Sequence, residues 1–174
     1  MTLEEAPVLG YRPMQATDEA DVQALFGLLK QAEAYSILVE GVSPSFEDAV
    51  ENLVEVPPGK TIEDKFFFGI HQAETLVGCV DLIRAYPDPD IAYLGLMLFA
   101  ESSQGKGLGK HSLDHLIRLA CDWGCRHMRL GVIETNVRGL RFWQREGFAE
   151  IYRKTLEGFT GDVIVMQKTI DNPV

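Results

Sequence analysis

Residues 93–111 read YLGLMLFAESSQGKGLGKH, and the rest of the chain is organised around this stretch. An apolar run typical of a buried strand leads into a turn with three glycines, and the turn opens an amphipathic helix. Glycines lack the Cβ atoms that would hold an anion away from backbone N–H groups, and Lys106 and Lys110 add positive charge. Because the first N–H groups of a helix lack partners and its dipole is positive there, the layout predicts a phosphate-binding site.

The spacing of the glycines narrows the choice of phosphate ligand. A P-loop requires Gly-x-x-x-x-Gly-Lys-Ser/Thr and a dinucleotide fingerprint requires Gly-x-Gly-x-x-Gly, and residues 104–109, QGKGLG, fit neither. They resemble the acyl-CoA loop of the GNAT acetyltransferase superfamily, whose pattern is Gln/Arg-x-x-Gly-x-Gly/Ala between a strand and a helix. The resemblance implies acetyl-CoA as cosubstrate.

A second segment carries the same resemblance. Residues 130–136, LGVIETN, read as a short strand that ends at Asn136, and a helix is predicted over 137–146 before Gly147 and Phe148. The corresponding GNAT segment is a strand, an Asn, a helix that bears an aromatic residue, and a closing Gly-Phe. The resemblance is specific over residues 91–148 and rests on element order upstream of them.

Composition is that of an ordinary globular protein, and 174 residues suit one domain, expected to be a single GNAT-like domain over 1–174. The formal net charge of −10 argues against general nucleic-acid binding, because such binding depends on clustered Lys and Arg. The start of the chain shows no signal-peptide pattern and no apolar run reaches membrane-spanning length. We therefore expect no membrane association and a cytoplasmic location.

The predicted element order is β-α-α-β-β-β-α-β-α-β-β, which indicates an α/β fold with a mixed sheet and helices on both faces. A strand over 8–14 precedes a helix capped by Thr17 or Asp18, and Ser43-Pro44-Ser45 signals a second helix. Runs over 65–71 and 75–84 predict a hairpin before the central strand, and runs over 148–156 and 162–168 predict a terminal one. This is also the element order of the GNAT fold, whose central strands are splayed.

No metal site is predicted. His111 and His115 have the spacing of two ligands on one helix, but they share the polar face with Arg118 and Asp122, where a solvated pair is expected. Three cysteines complete no zinc spacing and are expected to be core or near-core thiols.

The resemblance implies which residues bind the cosubstrate. Backbone groups of the splayed strand would pair with the pantetheine arm, the glycine loop would hold the pyrophosphate, and Asn136 would contact the arm while it also caps a helix. The implied cofactor-binding residues are Met97, Leu98, Phe99, Gln104, Gly105, Lys106, Gly107, Leu108, Gly109, Lys110, Asn136 and Trp143.

Catalytic groups are harder to place. Many GNAT members carry a Tyr that acts as the general acid four residues before the closing Gly-Phe. Here that position is Trp143, whose indole N–H is too weak an acid for this role. Some members carry a base carboxylate at the position that Tyr93 occupies. Glu134, two residues before Asn136, is the candidate catalytic base, and Asp81 on the hairpin is a second candidate.

The acetyl acceptor is expected to be a primary amine of a small, cationic molecule. Residues 31–59 contain six carboxylates and no Lys or Arg, and the resemblance makes this region one wall of the acceptor cleft. Alternatively, some of these carboxylates simply form the solvent-exposed face of an amphipathic helix. Glu33, Glu40 and Tyr93 are the candidate substrate-binding residues. A protein or peptide N-terminal acetyltransferase and a catalytically silent acyl-CoA-binding module remain alternatives, and a homodimer is left open.

Overall fold

A computed structural model describes residues 5–170 and shows one mixed sheet of seven strands. The strands lie in the order β1-β2-β3-β4-β5-β7-β6, and every neighbouring pair is antiparallel except the parallel pair β4 and β5. Their bounds are β1 Leu9–Pro13, β2 Lys65–Gln72, β3 Thr75–Ile83, β4 Ile91–Phe99, β5 His127–Ile133, β6 Ala149–Lys154 and β7 Val163–Thr169.

Five α-helices accompany the sheet, and they confirm the predicted α/β class. They are α1 Glu19–Gln31, α2 Glu33–Glu40, α3 Phe46–Val54, α4 Leu108–Asp122 and α5 Val137–Arg145. A side chain caps each of the two helix starts predicted in this region. Asp18 accepts a hydrogen bond from Ala20 N at 2.9 Å, and Ser45 forms a reciprocal capping box with Asp48.

The predicted order is wrong at one place, because α2 is a third helix where only two were predicted before the first hairpin. A single residue, Ala32, separates it from the end of α1, and Gly41 ends it in a left-handed conformation with φ +78°. Neither a Pro, a Gly nor a side-chain cap separates the two helices. The sequence therefore lacks the usual signal for a second start.

Helices cover both faces of the sheet. One core places α4 against β3, β4 and β5, with Leu113, Leu116, Val80, Leu94 and Leu130 among its buried residues. A second core places α1 and α3 against the opposite face, with Leu25, Leu53, Phe67, Cys79 and Leu98 buried. The central strands are thus fixed from both sides, and their ends are held rigidly enough to form a site.

Some sequence expectations fall outside this description. The first four residues and the tail from Asp171, which was predicted to fray, lie outside residues 5–170. Within that range, no helix combines the length and the apolar character that crossing a bilayer requires.

Candidate active site

The site begins where β4 and β5 separate. The two strands pair only from Ile91 with His127 to Leu94 with Leu130, although β4 continues to Phe99 and β5 to Ile133. This confirms the splayed central strands. The part of β4 beyond Leu94 has no β5 partner, so its edge can accept an extended ligand as an added strand would.

The start of α4 provides an anion-binding end to this opening. Gly107 is its N-cap with φ +77°, and no side chain caps the first N–H groups of the helix. A Cβ on Gly105 or Gly107 would meet nothing within 4 Å, so the space in front of the loop is open. Gln104 Nε2 donates to Phe99 O at 3.0 Å and ties the loop to the end of β4. The geometry fits a phosphate group.

A cleft of about 1390 Å³ runs from this loop along the splayed strands to α2 and α5. Every predicted cofactor-binding residue lines it except Lys106. Lys110 lines it and lies 3.5 Å from Asp114 and 3.7 Å from Glu146. The roles of these residues toward acetyl-CoA remain predictions.

Two of the lining residues also have structural roles. Asn136 caps α5, and its Oδ1 accepts a hydrogen bond from Gly139 N at 2.9 Å. Trp143 packs edge-on against Phe148, with ring centroids 5.3 Å apart. Neither contact prevents the other side of the side chain from facing a ligand, so the cap and packing roles are compatible with the predicted ones.

Three arginines of α5 were missed in the sequence. Arg138, Arg141 and Arg145 line the large cleft, and the first two are exposed and make no ion pair with any of residues 5–170. Their spacing of three and four residues, which places side chains on one helix face, was the signal available. They supply the positive charge that a polyanionic cosubstrate requires.

Arg138→Gln and Arg141→Gln should each raise the Kd of acetyl-CoA by about tenfold, which corresponds to about 1.4 kcal/mol for a lost charge-assisted contact. Calorimetric titration at two salt concentrations measures this, and the variants should show a weaker salt dependence than the wild type. Arg126→Gln is the matched control, since Arg126 is also exposed but does not line the cleft. Equal affinities in all four proteins would contradict the assignment.

A smaller cavity of about 340 Å³ lies on the side of α2 and α3. Glu40, Asp48, Glu51 and Glu55 line it together with one lysine, Lys154, among the described residues. Burial and the neighbouring charge of Asp48 raise the pKa of Glu40. The acidic face of α3, for which the sequence also allowed a purely solvent-exposed role, therefore borders a cavity.

The residues predicted to bind the acetyl acceptor do not all line the same cavity. Glu40 and Tyr93 both line the small cavity. Glu33 lines neither cavity, because its carboxylate pairs with Lys30 at 3.4 Å and accepts a hydrogen bond from Ser43. The prediction for Glu33 thus has no support from the geometry.

The two cavities share a short set of lining residues where they meet: Tyr35, Gly95, Leu96, Leu98 and Gly131. Gly95 on β4 and Gly131 on β5 are exposed and leave a passage that side chains would narrow. A Cβ on Gly131 would lie 3.4 Å from the Tyr93 hydroxyl. Burial raises the pKa of Tyr35 to about 12, so its hydroxyl stays protonated at neutral pH and can donate a hydrogen bond here.

Glu134 lies outside both cavities. One carboxylate oxygen accepts a hydrogen bond from Asp162 N at 3.0 Å, and the other lies 3.5 Å from Arg153 Nη1. These contacts give Glu134 a structural role at the start of β7. Its catalytic role remains an untested prediction.

One of the two histidines, His115, departs from the prediction of a solvated pair. His115 is half-buried and stacks on Tyr11, with ring centroids 3.9 Å apart and planes within 2°. Burial lowers its pKa. No group of three or more metal-ligating side chains occurs within residues 5–170.

Comparison with known proteins agrees with this geometry. The model of the acetyltransferase (GNAT) family matches residues 32–148. The chain therefore belongs to the GNAT family of acetyltransferases.

Individual relatives are more distant. The spermine/spermidine N(1)-acetyltransferase of Bacillus subtilis (strain 168) is 40% identical over 57 residues, which are 32% of this chain and 38% of that protein. The chain thus matches little more than a third of that relative's length.

Solved structures share the fold at low identity. An acetyltransferase from Thermus thermophilus has a TM-score of 0.77 and 24% identity, over 93% of this chain and 97% of that one. The aminoglycoside acetyltransferase AAC(6')-Ib, solved with ribostamycin and coenzyme A, has a TM-score of 0.69 and 18% identity, over 92% and 93%. At these identities the likeness shows the fold alone.

Proposed function

We propose that this protein transfers an acetyl group from acetyl-CoA directly to a primary amine of a small, cationic molecule. The observation that carries the proposal is the junction of two cavities of opposite character. The large cleft has an open helix N-terminus and four cationic side chains against two carboxylates, Glu101 and Glu146, whereas the small cavity has four carboxylates against one lysine, Lys154, among the described residues. A polyanionic donor and a cationic acceptor would each enter the cavity that complements its charge and meet between Gly95 and Gly131.

The residues of the large cleft fit acetyl-CoA by their chemistry. Uncapped N–H groups of α4 and the guanidinium groups of α5 would hold phosphates, and the open edge of β4 would pair with the amide-bearing arm. Bound in this way, acetyl-CoA supplies a thioester carbon that an amine can attack. The apolar residues at the junction, Leu96 and Leu98, exclude water from competing with the amine.

The relatives support an amine acceptor. One acetylates spermine or spermidine by its name, and another was solved with the aminoglycoside ribostamycin. Both ligands carry several primary amines. The acidic cavity of this chain supports an acceptor of the same charge class.

The carboxylates of the small cavity lead to a prediction about how KM depends on charge and ionic strength. Glu40→Gln and Glu51→Gln should each raise KM for a cationic amine about two- to fivefold, because each removes one partly exposed charge interaction. Raising the ionic strength should also increase the wild-type KM, because salt screens the attraction between the carboxylates and the amine. Glu47→Gln is the control, since Glu47 is on the same helix as Glu51 and lines neither cavity. A salt-insensitive KM that both substitutions leave unchanged would remove the case for a cationic acceptor.

The test of the function itself is thiol release from acetyl-CoA with a panel of polyamines, aminoglycosides, amino acids and neutral peptides. We expect multiply charged amines to be the fastest substrates, with the acetylated product confirmed by mass spectrometry. Preference for neutral peptides would favour the N-terminal acetyltransferase alternative. Acetyl-CoA binding without thiol release for any amine would favour the silent binding module.

A further inference from the structure

A buried carboxylate lies beside the junction of the two cavities, and the site described above does not use it. Asp81 is on β3, opposite Leu96 of β4. The register between these strands shifts after Asp81, because Leu82 pairs with Leu94, so Gly95 is an extra residue without a partner. Bulges of this kind change the direction of the side chains around them.

The bulge brings the carboxylate next to the passage. A Cβ built on Gly95 would lie 2.9 Å from Asp81 Oδ2 and 3.5 Å from Asp81 Cγ. The carboxylate therefore occupies the space that a side chain at position 95 would take. Gly95 is itself exposed and lines both cavities, so the residue that Asp81 lies against borders the point where donor and acceptor would meet.

The surroundings of Asp81 leave part of its hydrogen-bonding capacity unused. Its Oδ2 lies 2.8 Å from Lys65 Nζ, whose side chain is 2% exposed, whereas the side chain of Asp81 is 14% exposed. Asp81 Oδ1 is buried and has no hydrogen-bond partner among residues 5–170. A buried acceptor without a donor is costly for the ionised carboxylate.

The charges around Asp81 set its affinity for a proton. Burial raises its pKa most, Lys65 on β2 lowers it, and Glu55 just beyond α3 raises it. The buried thiol of Cys79, on the same strand, faces the same charge, and burial raises its pKa above the usual range. A carboxylate whose pKa is shifted toward neutral pH is a better proton acceptor for an ammonium group than an exposed one.

We propose that Asp81 is the catalytic proton acceptor for the amine substrate. The proposal rests on the proposed function. The ammonium group gives one proton to the Asp81 carboxylate, and the neutral amine then attacks the thioester carbon. A C–N bond forms, the C–S bond breaks, and its electron pair leaves with the sulfur. The second proton lost by the nitrogen passes through water to the thiolate, and Asp81 returns its proton to solvent.

Asp81 and Glu134 differ in their surroundings. Neither carboxylate lines the two cavities, but Glu134 is held by Asp162 and Arg153, whereas Asp81 lies against Gly95, which lines both. Asp81 borders the passage through Gly95 and keeps an oxygen without a donor. Lys65 Nζ, 2.8 Å from Oδ2, holds the carboxylate in place.

The test compares two amines in wild type and Asp81→Asn. One is an alkylamine that is protonated at pH 7, with a pKa of about 10. The other is a hydrazide, which is already neutral at that pH. We expect kcat/KM for the alkylamine to fall by about a hundredfold or more, with recovery as pH rises, and kcat/KM for the hydrazide to change little. Acetyl-CoA affinity, measured by calorimetry, should be unchanged.

A second variant covers the case in which Asp81→Asn does not fold. Gly95→Ala keeps the carboxylate but places a methyl group 2.9 Å from Oδ2, so the carboxylate must move. The methyl group also narrows the passage and should slow both amines, but the alkylamine should lose more activity than the hydrazide because the carboxylate is displaced as well. An equal loss for both amines would show a structural role and overturn the proposal, as would an unchanged rate with the alkylamine. A wild type that acetylates no amine would overturn the proposed function, and this inference with it.

Discussion

Gly107→Glu is expected to abolish acetyl-CoA binding while the fold is retained. Gly107 caps α4 with φ +77°, and its Cβ position opens onto the space in front of the uncapped N–H groups. A carboxylate there would occupy the anion site and repel the phosphates, and such a like-charge contact costs several kcal/mol, so the Kd should rise by more than about a hundredfold. Calorimetric titration measures the affinity, and circular dichroism checks the fold.

Gly124→Glu is the matched control for this experiment. Gly124 follows the opposite end of α4, has φ +82°, and a Cβ on it would also meet nothing within 4 Å. It therefore reproduces the backbone strain of about 1–2 kcal/mol and the added charge without touching the cleft. A folded Gly107→Glu protein that binds acetyl-CoA as well as the control does would refute the assignment of the loop.

Lys65→Met is expected to have the largest effect on stability, about 3–5 kcal/mol at pH 8, because it leaves the buried Asp81 carboxylate without its partner. The pKa of Asp81 is already raised by burial and would rise further without Lys65. A raised pKa in the folded state means that the native protein binds the proton more tightly than the unfolded chain. Stability should therefore be retained below the unfolded pKa and lost as pH rises through the folded one.

Urea unfolding of the variant at pH 5 and pH 8 checks this direction. The double variant Lys65→Met/Asp81→Leu should recover most of the loss, since it removes both charges. Lys30→Met serves as control, because its pair with Glu33 is exposed and should contribute less than about 1 kcal/mol. A loss at pH 8 no larger than that of the control would mean that the Lys65–Asp81 pair is not a buried one in solution.

The two variants of the Lys65–Asp81 pair separate folding from chemistry. Lys65→Met tests the cost of an unpaired charge, whereas Asp81→Asn keeps a hydrogen-bond acceptor for Lys65 and removes the proton acceptor. A variant that is stable but slow would indicate a role of the pair in catalysis. A variant that is unstable but active would indicate a role in folding.

Much of the fold followed from local sequence. The hairpin strands predicted over 65–71 and 75–84 end within one residue of the observed β2 and β3, because apolar periodicity and turn residues are local signals. The cleft-lining glycine loop followed from the same signals, since a helix start presents its N–H groups whatever packs around it. The acidic composition of residues 31–59 likewise pointed to the wall that Glu40 and Glu51 now form.

Tertiary structure alone decided which carboxylates face the site. Asp81 lies within β3 and Glu134 directly follows β5, and the sequence favoured the one nearer to Asn136. The structure ties Glu134 to a neighbouring strand and brings Asp81 next to Gly95, fourteen positions further along the chain. That contact depends on strand register and on one bulged residue, and neither leaves a local signal, because a shift by one residue would turn the same side chain to the opposite face.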